Sequence, residues 1–495
     1  MLDGLAARNG GRLGLAALAA VLVLGLGLRL GEAWDGRPPV YDAAAYAEIA
    51  ASLYHDEGFT VGPGATQPSS NYSPGLPLFV TGLYKLTGGV HERLARVVLA
   101  IVGTLSVFFA YLLGRRLARS RLCTCQGPDK VGSVTAAGLL AALVVAIYPA
   151  LLEYQGMLMS EPLASTLLAA GVWAIFWAAG DQAAPPSGWR GERGVRTTAP
   201  ATPLSPRQDP LARWLVPGVL LGALALVRPE YLGVTALLAA VLFGLGARAN
   251  WKRSLGTAAV MLAAALVVIA PWTFRNAEAL GRFVPISTGG GQVLFAGTYL
   301  PSGGNPERVG AEVVERHPEL FGPHAVERLR LEQILARLAA HRYPGMEADQ
   351  ALSKMGKEQL WDDISQEPLE SAGFVAKKLW RLWGYGPRDV MREPGWELLH
   401  WALLAFGLLG LGLLAWRRRW EAAVLATVFL SITALSALLV ASPRRVLVML
   451  PLLAACAGVG AVWLVAALRS PPNRARLSFP PHGGRKDNHP GGTAG

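Results

Sequence analysis

Runs of about twenty consecutive apolar residues dominate this chain, and they constrain its fold more than any other feature. A helix rises 1.5 Å per residue, so each run matches the ~30 Å hydrocarbon layer of a bilayer. Backbone polar groups need internal partners in lipid, which leaves helices and closed barrels as the spanning structures. The runs are about twice as long as the ~10 residues of a barrel strand, so an all-α integral membrane protein is expected. Spans are expected near residues 13–30, 93–113, 131–149, 161–179, 213–227, 231–247, 254–272, 396–416, 421–441 and 446–468, about ten in all, with 213–227 the shortest. Only 16% of the 495 residues are charged, against roughly a quarter in soluble domains.

The net charge is +12, but the cations do not form a phosphate-tracking stripe, and nucleic acid is not an expected partner. They gather in short connections. Arg115, Arg116, Arg119, Arg121 and Lys130 form one cluster; Arg248, Lys252 and Arg253 a second; Arg417, Arg418 and Arg419 a third. The positive-inside rule puts these on the cytoplasmic side, with residues 1–12 and the basic tail 469–495. A bacterial cytoplasmic membrane is the expected location, with residues 13–30 as an uncleaved signal anchor. The segment 74–88 is apolar, but counting it as a span would put the Arg115 cluster outside. Its prolines, glycines and Lys85 suit an interfacial helix instead, which makes loop 31–92 wholly extracytoplasmic.

Residues 13–272 then form an N-terminal membrane module and 396–468 a C-terminal one. Between them, 273–395 is expected to be a small extracytoplasmic helical insertion. The Pro- and Arg-rich stretch 181–212 and the tail 469–495 cannot bury a core and are expected to be disordered and cytoplasmic. Three cysteines supply no disulfide framework; Cys123 and Cys125 fall in a cytoplasmic loop, and Cys456 in a span. His55, His91 and His341 have no metal spacing. Gly289, Gly290 and Gly291 are read as an outer loop near the site, with a phosphate cradle as the lesser alternative.

Chemistry concentrates at one membrane face. Asp42 follows the first span, where a partly desolvated carboxylate can serve as a general base; its structural alternative is a helix cap. Glu161 opens the fourth span, with Ser160 and Pro162 favouring a simple helix start as the alternative. Arg228, Arg275, Arg444 and Arg445 map to the same face, against the positive-inside trend, and guanidinium forks suit phosphate oxygens.

The segments YDAAAYAEIA, NYSPGLPLFVTGLYKLTGG, SEPLA, LVRPEYL, APWTFRN and RRVLVMLPLL occur in this order from the first outer loop to the last span. Together they resemble the GT-C class of membrane glycosyltransferases. Within it the likeness is to the bacterial branch related to protein O-mannosyltransferases and aminoarabinose transferases (dolichyl-phosphate-mannose-protein mannosyltransferase-like). The resemblance runs from about residue 10 to 468 and implies a multi-span GT-C-type helical bundle with interfacial helices in its first outer loop. It further implies a polyprenyl-phosphate-linked sugar as donor and an acceptor hydroxyl or amine on a protein, lipid or polysaccharide. Asp42 matches the catalytic aspartate, Glu161 a helping acid, and Arg275 with Arg444 or Arg445 the cations on the leaving phosphate; Arg228 joins these. Tyr41, Tyr46, Lys85 and Asn276, in the same segments, are expected to position substrate. No cofactor is firmly implied, though a divalent cation between Asp42 and Glu161 stays open. This chain has glutamate at 161 where the family more often shows aspartate. A transporter or lipid-linked sugar flippase is the alternative function.

Overall fold

The computed structural model describes residues 2–36, 39, 42–61, 69–119, 128–180, 211–322 and 324–469. Tyr41, Cys123, Cys125, most of 181–212 and the tail beyond 469 lie outside the described residues. Among the described residues helix is the only regular secondary structure.

The N-terminal module begins with α1 (Leu2–Asp35), α2 (Asp42–Tyr54), α3 (Gly75–Thr87) and α4 (Glu92–Ala118). It continues through α5 (Pro128–Ile147), α6 (Pro149–Gln155), α7 (Glu161–Ala179), α8 (Leu215–Val227) and α9 (Glu230–Leu280). The segment 74–88 folds as α3, whose 13 residues reach only ~20 Å and fall short of the hydrocarbon thickness. Its Thr81 hydroxyl bonds the Ala50 carbonyl of α2 at 3.2 Å, so α2 and α3 form one layer over the bundle end.

Among the described residues seven helices are long and apolar enough to cross a bilayer, or eight if the bent pair α5–α6 is one span. The expected count of about ten turns on two further places. Helix α8, with the short turn before it (Leu211–Val227), falls below spanning length. The 51 residues of α9 are two helical halves that meet at Asn250, whose φ of −157° and ψ of 91° are extended, and the expected spans 231–247 and 254–272 lie on either side of it.

The bend between α5 and α6 is 52°. Pro149 has no N–H to offer the carbonyl four residues back, so that of Val145 is left without its helical partner. Arg29 of α1, 1% exposed, fills the gap. It donates to Val145 O at 2.9 Å, Ala146 O at 3.2 Å and Gly25 O at 3.1 Å.

The C-terminal module comprises α16 (Pro394–Trp416), α17 (Trp420–Leu438) and α18 (Arg444–Arg469), reached through α10 to α15 of the insertion. Helix α18 is the bundle's centre: 83% of its most apolar window is buried, against 17% for α1, which faces outward over most of its length. Small residues let α18 come close to its neighbours. A Cβ at Gly410 of α16 would lie 1.9 Å from the Cys456 carbonyl, and one at Gly458 would lie 2.3 Å from the Ala137 carbonyl. Buried Cys456 is a packing residue.

The stretch 273–395 contains α10 (Gly290–Thr298), α11 (Val309–Arg316), α12 (Ala325–Arg328), α13 (Leu331–Arg342), α14 (Ala348–Gln366) and α15 (Pro368–Gly384). It has its own core of Phe295, Val313, Ile334, Leu335, Leu338 and Leu352. Lys378 of α15, 2% exposed, ties it to the bundle by donating to Gly297 O at 2.7 Å and Ala437 O at 2.6 Å. Burial pulls this ammonium down to about 8, while the two carbonyls favour keeping its proton. The amides of Gly291 and Gln292 donate to the Asp349 carboxylate at 2.8 and 3.3 Å. That side chain takes the position a phosphate would need, so the glycine run caps a helix.

Candidate active site

Four helix ends meet on the side of the bundle covered by α2. The first residue of α2 is Asp42, the first of α7 is Glu161, and the first of α18 is Arg444; Arg228 stands between α8 and α9. Arg444 joins the two acids. Its Nη1 lies 2.8 Å from Asp42 Oδ2 and its Nε lies 2.6 Å from Glu161 Oε1. Arg228 Nη2 approaches the same Glu161 oxygen at 2.7 Å. The Glu161 side chain is fully buried, whereas that of Asp42 is 44% exposed.

Two guanidiniums meet one oxygen of this buried carboxylate, the pairing that a buried charge requires. Ser160 makes no side-chain cap to α7, so this acid is tied to the arginines and is not a plain helix-start residue. Its second oxygen, Oε2, is buried without a hydrogen-bond partner among the described residues. Removing one partner from a buried ion network costs about 3–5 kcal/mol, because the remaining charge stays unpaired. Arg228→Met is therefore expected to lower thermal stability in detergent and to reduce the monodisperse fraction on size exclusion. Unchanged melting would show that Glu161 does not depend on Arg228.

A second row backs the first. Glu230 Oε1 lies 3.6 Å from Arg228 Nη1 and 3.8 Å from Arg445 Nε. Arg445 also donates to Ser436 Oγ at 2.9 Å and Val440 O at 2.5 Å. Of the arginine pair, Arg444 faces the acids and Arg445 is anchored behind them. Tyr46, one turn after Asp42, is buried with Asp42, Arg228, Arg444 and Glu161 as its charged neighbours; burial, then Asp42, pushes its phenol up to about 12. It stays a neutral hydrogen-bonding group at physiological pH. Its ring meets Tyr72 edge-on at 5.8 Å.

Other expected site residues stand apart from this cluster. Arg275 lies over Trp272 (4.9 Å) and Phe59 (5.4 Å) and donates to Ser69 O at 3.2 Å, fixing the segment between α2 and α3 to α9. Asn276 is fully buried, with its amide on Val284 O and Ile286 O at 3.1 and 2.9 Å. Lys85 pairs with Asp56 at 2.9 Å, both exposed. Tyr41 is outside the described residues.

Three groups were not singled out by the sequence. Glu230 was visible as the acid of VRPE in the LVRPEYL segment. Tyr154 lies under Arg444 at 5.6 Å and under Arg388 at the same distance, and Arg388 pairs with Glu153. The Arg444 guanidinium lies between Asp42 and Glu161, the two acids between which a divalent cation stays open. Among the described residues no group of three His, Cys, Asp or Glu is placed to hold a metal ion.

The basic connections lie at the opposite end of the bundle. Arg116, in the last turn of α4, donates to Gly180 O at 2.7 Å beyond the end of α7. Arg116 also lies 3.8 Å from Glu421 at the start of α17, and Arg419 lies 2.7 Å from the same acid.

No family model matches this chain, and a search of curated proteins returned no match. Solved structures do resemble it. The apo oligosaccharyltransferase of Archaeoglobus fulgidus aligns over 92% of this chain and 51% of its own length, with 15% identity and a TM-score of 0.50. The same enzyme with an inhibitory peptide and a dolichol-phosphate covers 90% and 50%, with 15% identity and a TM-score of 0.49. ArnT from Cupriavidus metallidurans bound to undecaprenyl phosphate covers 90% and 77%, with 13% identity and a TM-score of 0.40. The chain thus spans about half the length of the archaeal enzyme. Identity this low speaks to architecture alone, and the architecture is that of a GT-C-type membrane-embedded helical bundle.

Proposed function

We propose that this protein is an inverting glycosyltransferase, moving a sugar from a polyprenyl-phosphate donor to an acceptor hydroxyl or amine at the extracytoplasmic membrane face. The observation that carries the reading is the contact chain from Asp42 through Arg444 to Glu161, which sets a part-exposed carboxylate beside a guanidinium at one end of the bundle. Asp42 takes the proton of the acceptor. The acceptor oxygen or nitrogen bonds to the anomeric carbon from the face opposite the phosphate, and the carbon–oxygen bond to phosphate breaks with inversion. Polyprenyl phosphate leaves as an anion that Arg444 stabilises, so no strong general acid is required. Glu161 holds Arg444 in place through its Oε1. Arg275 holds the first outer loop against α9, which positions α2 and Asp42.

The test is transfer by the purified protein in detergent with lipid, offered radiolabelled polyprenyl-phosphate sugars. Sugar should leave one donor and appear on an acceptor or in water. Binding of the lipid without turnover of any donor would favour a carrier or flippase. Arg444 supplies the charge that a divalent cation would bring, so a chelator should leave the rate unchanged. Loss of transfer on chelation, restored by Mg²⁺ or Mn²⁺, would overturn that role for Arg444.

A further inference from the structure

At the end of the bundle away from the acids, the last turns of α4 and α7 enclose a cavity of about 230 Å³. Arg115, Arg116 and Arg119 line one side, and Trp173, Phe176 and Trp177 the other. The two indoles stack at 6.4 Å with 14° between their planes. Arg213, just before α8, places a fourth guanidinium 5.6 Å over the Trp177 ring. Arg115 lies over the Tyr111 ring at 5.3 Å, which directs its fork along α4. Arg119 and Trp177 are exposed. None of these residues takes part in the acid–arginine cluster.

We propose that this cavity binds the headgroup of an anionic phospholipid, with its phosphodiester on Arg115 and Arg119 and its glycerol and first chain carbons on Trp173, Phe176 and Trp177. Three features favour this occupant. The cavity lies at helix ends, the depth at which headgroups meet tryptophan-rich belts. Its walls pair guanidiniums with aromatic rings, which suits an amphiphile better than a soluble anion; the arginine fork matches phosphate oxygens. It also sits on the face that carries the basic connections, where anionic lipids and basic pockets between helices attract each other. The site is independent of the glycosyltransferase reading, since it uses neither the acids nor Arg444.

The test is lipid retention by the full chain, incorporated into nanodiscs of equal phosphatidylglycerol and phosphatidylcholine, then released and weighed by native mass spectrometry. Wild type should keep phosphatidylglycerol over phosphatidylcholine. Arg115→Gln/Arg119→Gln should reduce that preference by about thirtyfold, at about 1 kcal/mol for each of the two cations near an anionic surface. Arg417→Gln/Arg418→Gln, on the same face outside the cavity, should keep it. Equal retention of the two lipids by wild type, or equal loss in both double variants, would overturn the site. Displacement of the lipid by inorganic phosphate would also overturn it, by making this a soluble-anion pocket. Size-exclusion profiles matching wild type would show that the variants are folded.

Discussion

Asp42→Asn should lower sugar transfer by about a hundredfold or more, the usual scale for a general base, and leave folding and donor binding intact. The side chain is 44% exposed, so replacing its charge removes no buried network. The asparagine carbonyl can still accept from Arg444 Nη1, and α2 keeps its place through Tyr46, Ile49 and the Thr81 bond to Ala50. What is lost is the ability to take a proton. The measurement is single-turnover transfer from a labelled polyprenyl-phosphate sugar, with donor binding measured separately. Unchanged transfer would remove Asp42 from the chemistry. Loss of donor binding together with transfer would make it a binding residue.

Arg444→Lys should be nearly as damaging, by about a hundred- to a thousandfold, the scale of removing a donor to developing charge. Conservation of charge does not rescue it. Arg444 reaches Asp42 through Nη1 and Glu161 through Nε, two edges of one rigid plane that a single ammonium cannot reproduce. The variant should also melt earlier, because fully buried Glu161 would keep only Arg228 as a close partner. Arg445→Lys gives the contrast. Its partners are Glu230, Ser436 and Val440, so it should cost stability more than turnover. The reverse pattern, with Arg445→Lys abolishing transfer and Arg444→Lys sparing it, would exchange the roles assigned to the two.

The sequence showed where charge gathers more readily than which charge meets which. Asp42, Glu161, Arg228 and Arg444 were legible because each stands at the end of an apolar run, on the face where short-loop cations are unexpected. The pair at 444 and 445 was not resolvable. Neighbouring helix residues point about 100° apart, and which of them faces α7 depends on the rotation of α18. That rotation is set by close packing such as Gly458 on Ala137 and Gly410 on Cys456, contacts that no local pattern encodes. Arg275 had a legible sign of its stacking role, Trp272 three residues before it on one helix face. Asn276 carried no such sign, because its carbonyl partners at Val284 and Ile286 lie across a turn. Span counting faltered at α8, which is too short to count, whereas the break at Asn250 falls between the expected spans 231–247 and 254–272.

The burial of Arg29 links the order of biogenesis to the proline bend. Arg29 and Val145 are 116 residues apart, so α1 leaves the ribosome long before two of its three carbonyl partners, Val145 and Ala146, exist. Until α5 follows, that arginine stands in an apolar segment without those partners, at a cost of up to about 2.5–3.5 kcal/mol on insertion scales. The first helix is thus a provisional anchor during synthesis, and it becomes a settled one only when the fold's bent segment enters the membrane beside it. Pro149, by withholding one N–H, leaves the Val145 carbonyl as the acceptor that completes this late pairing.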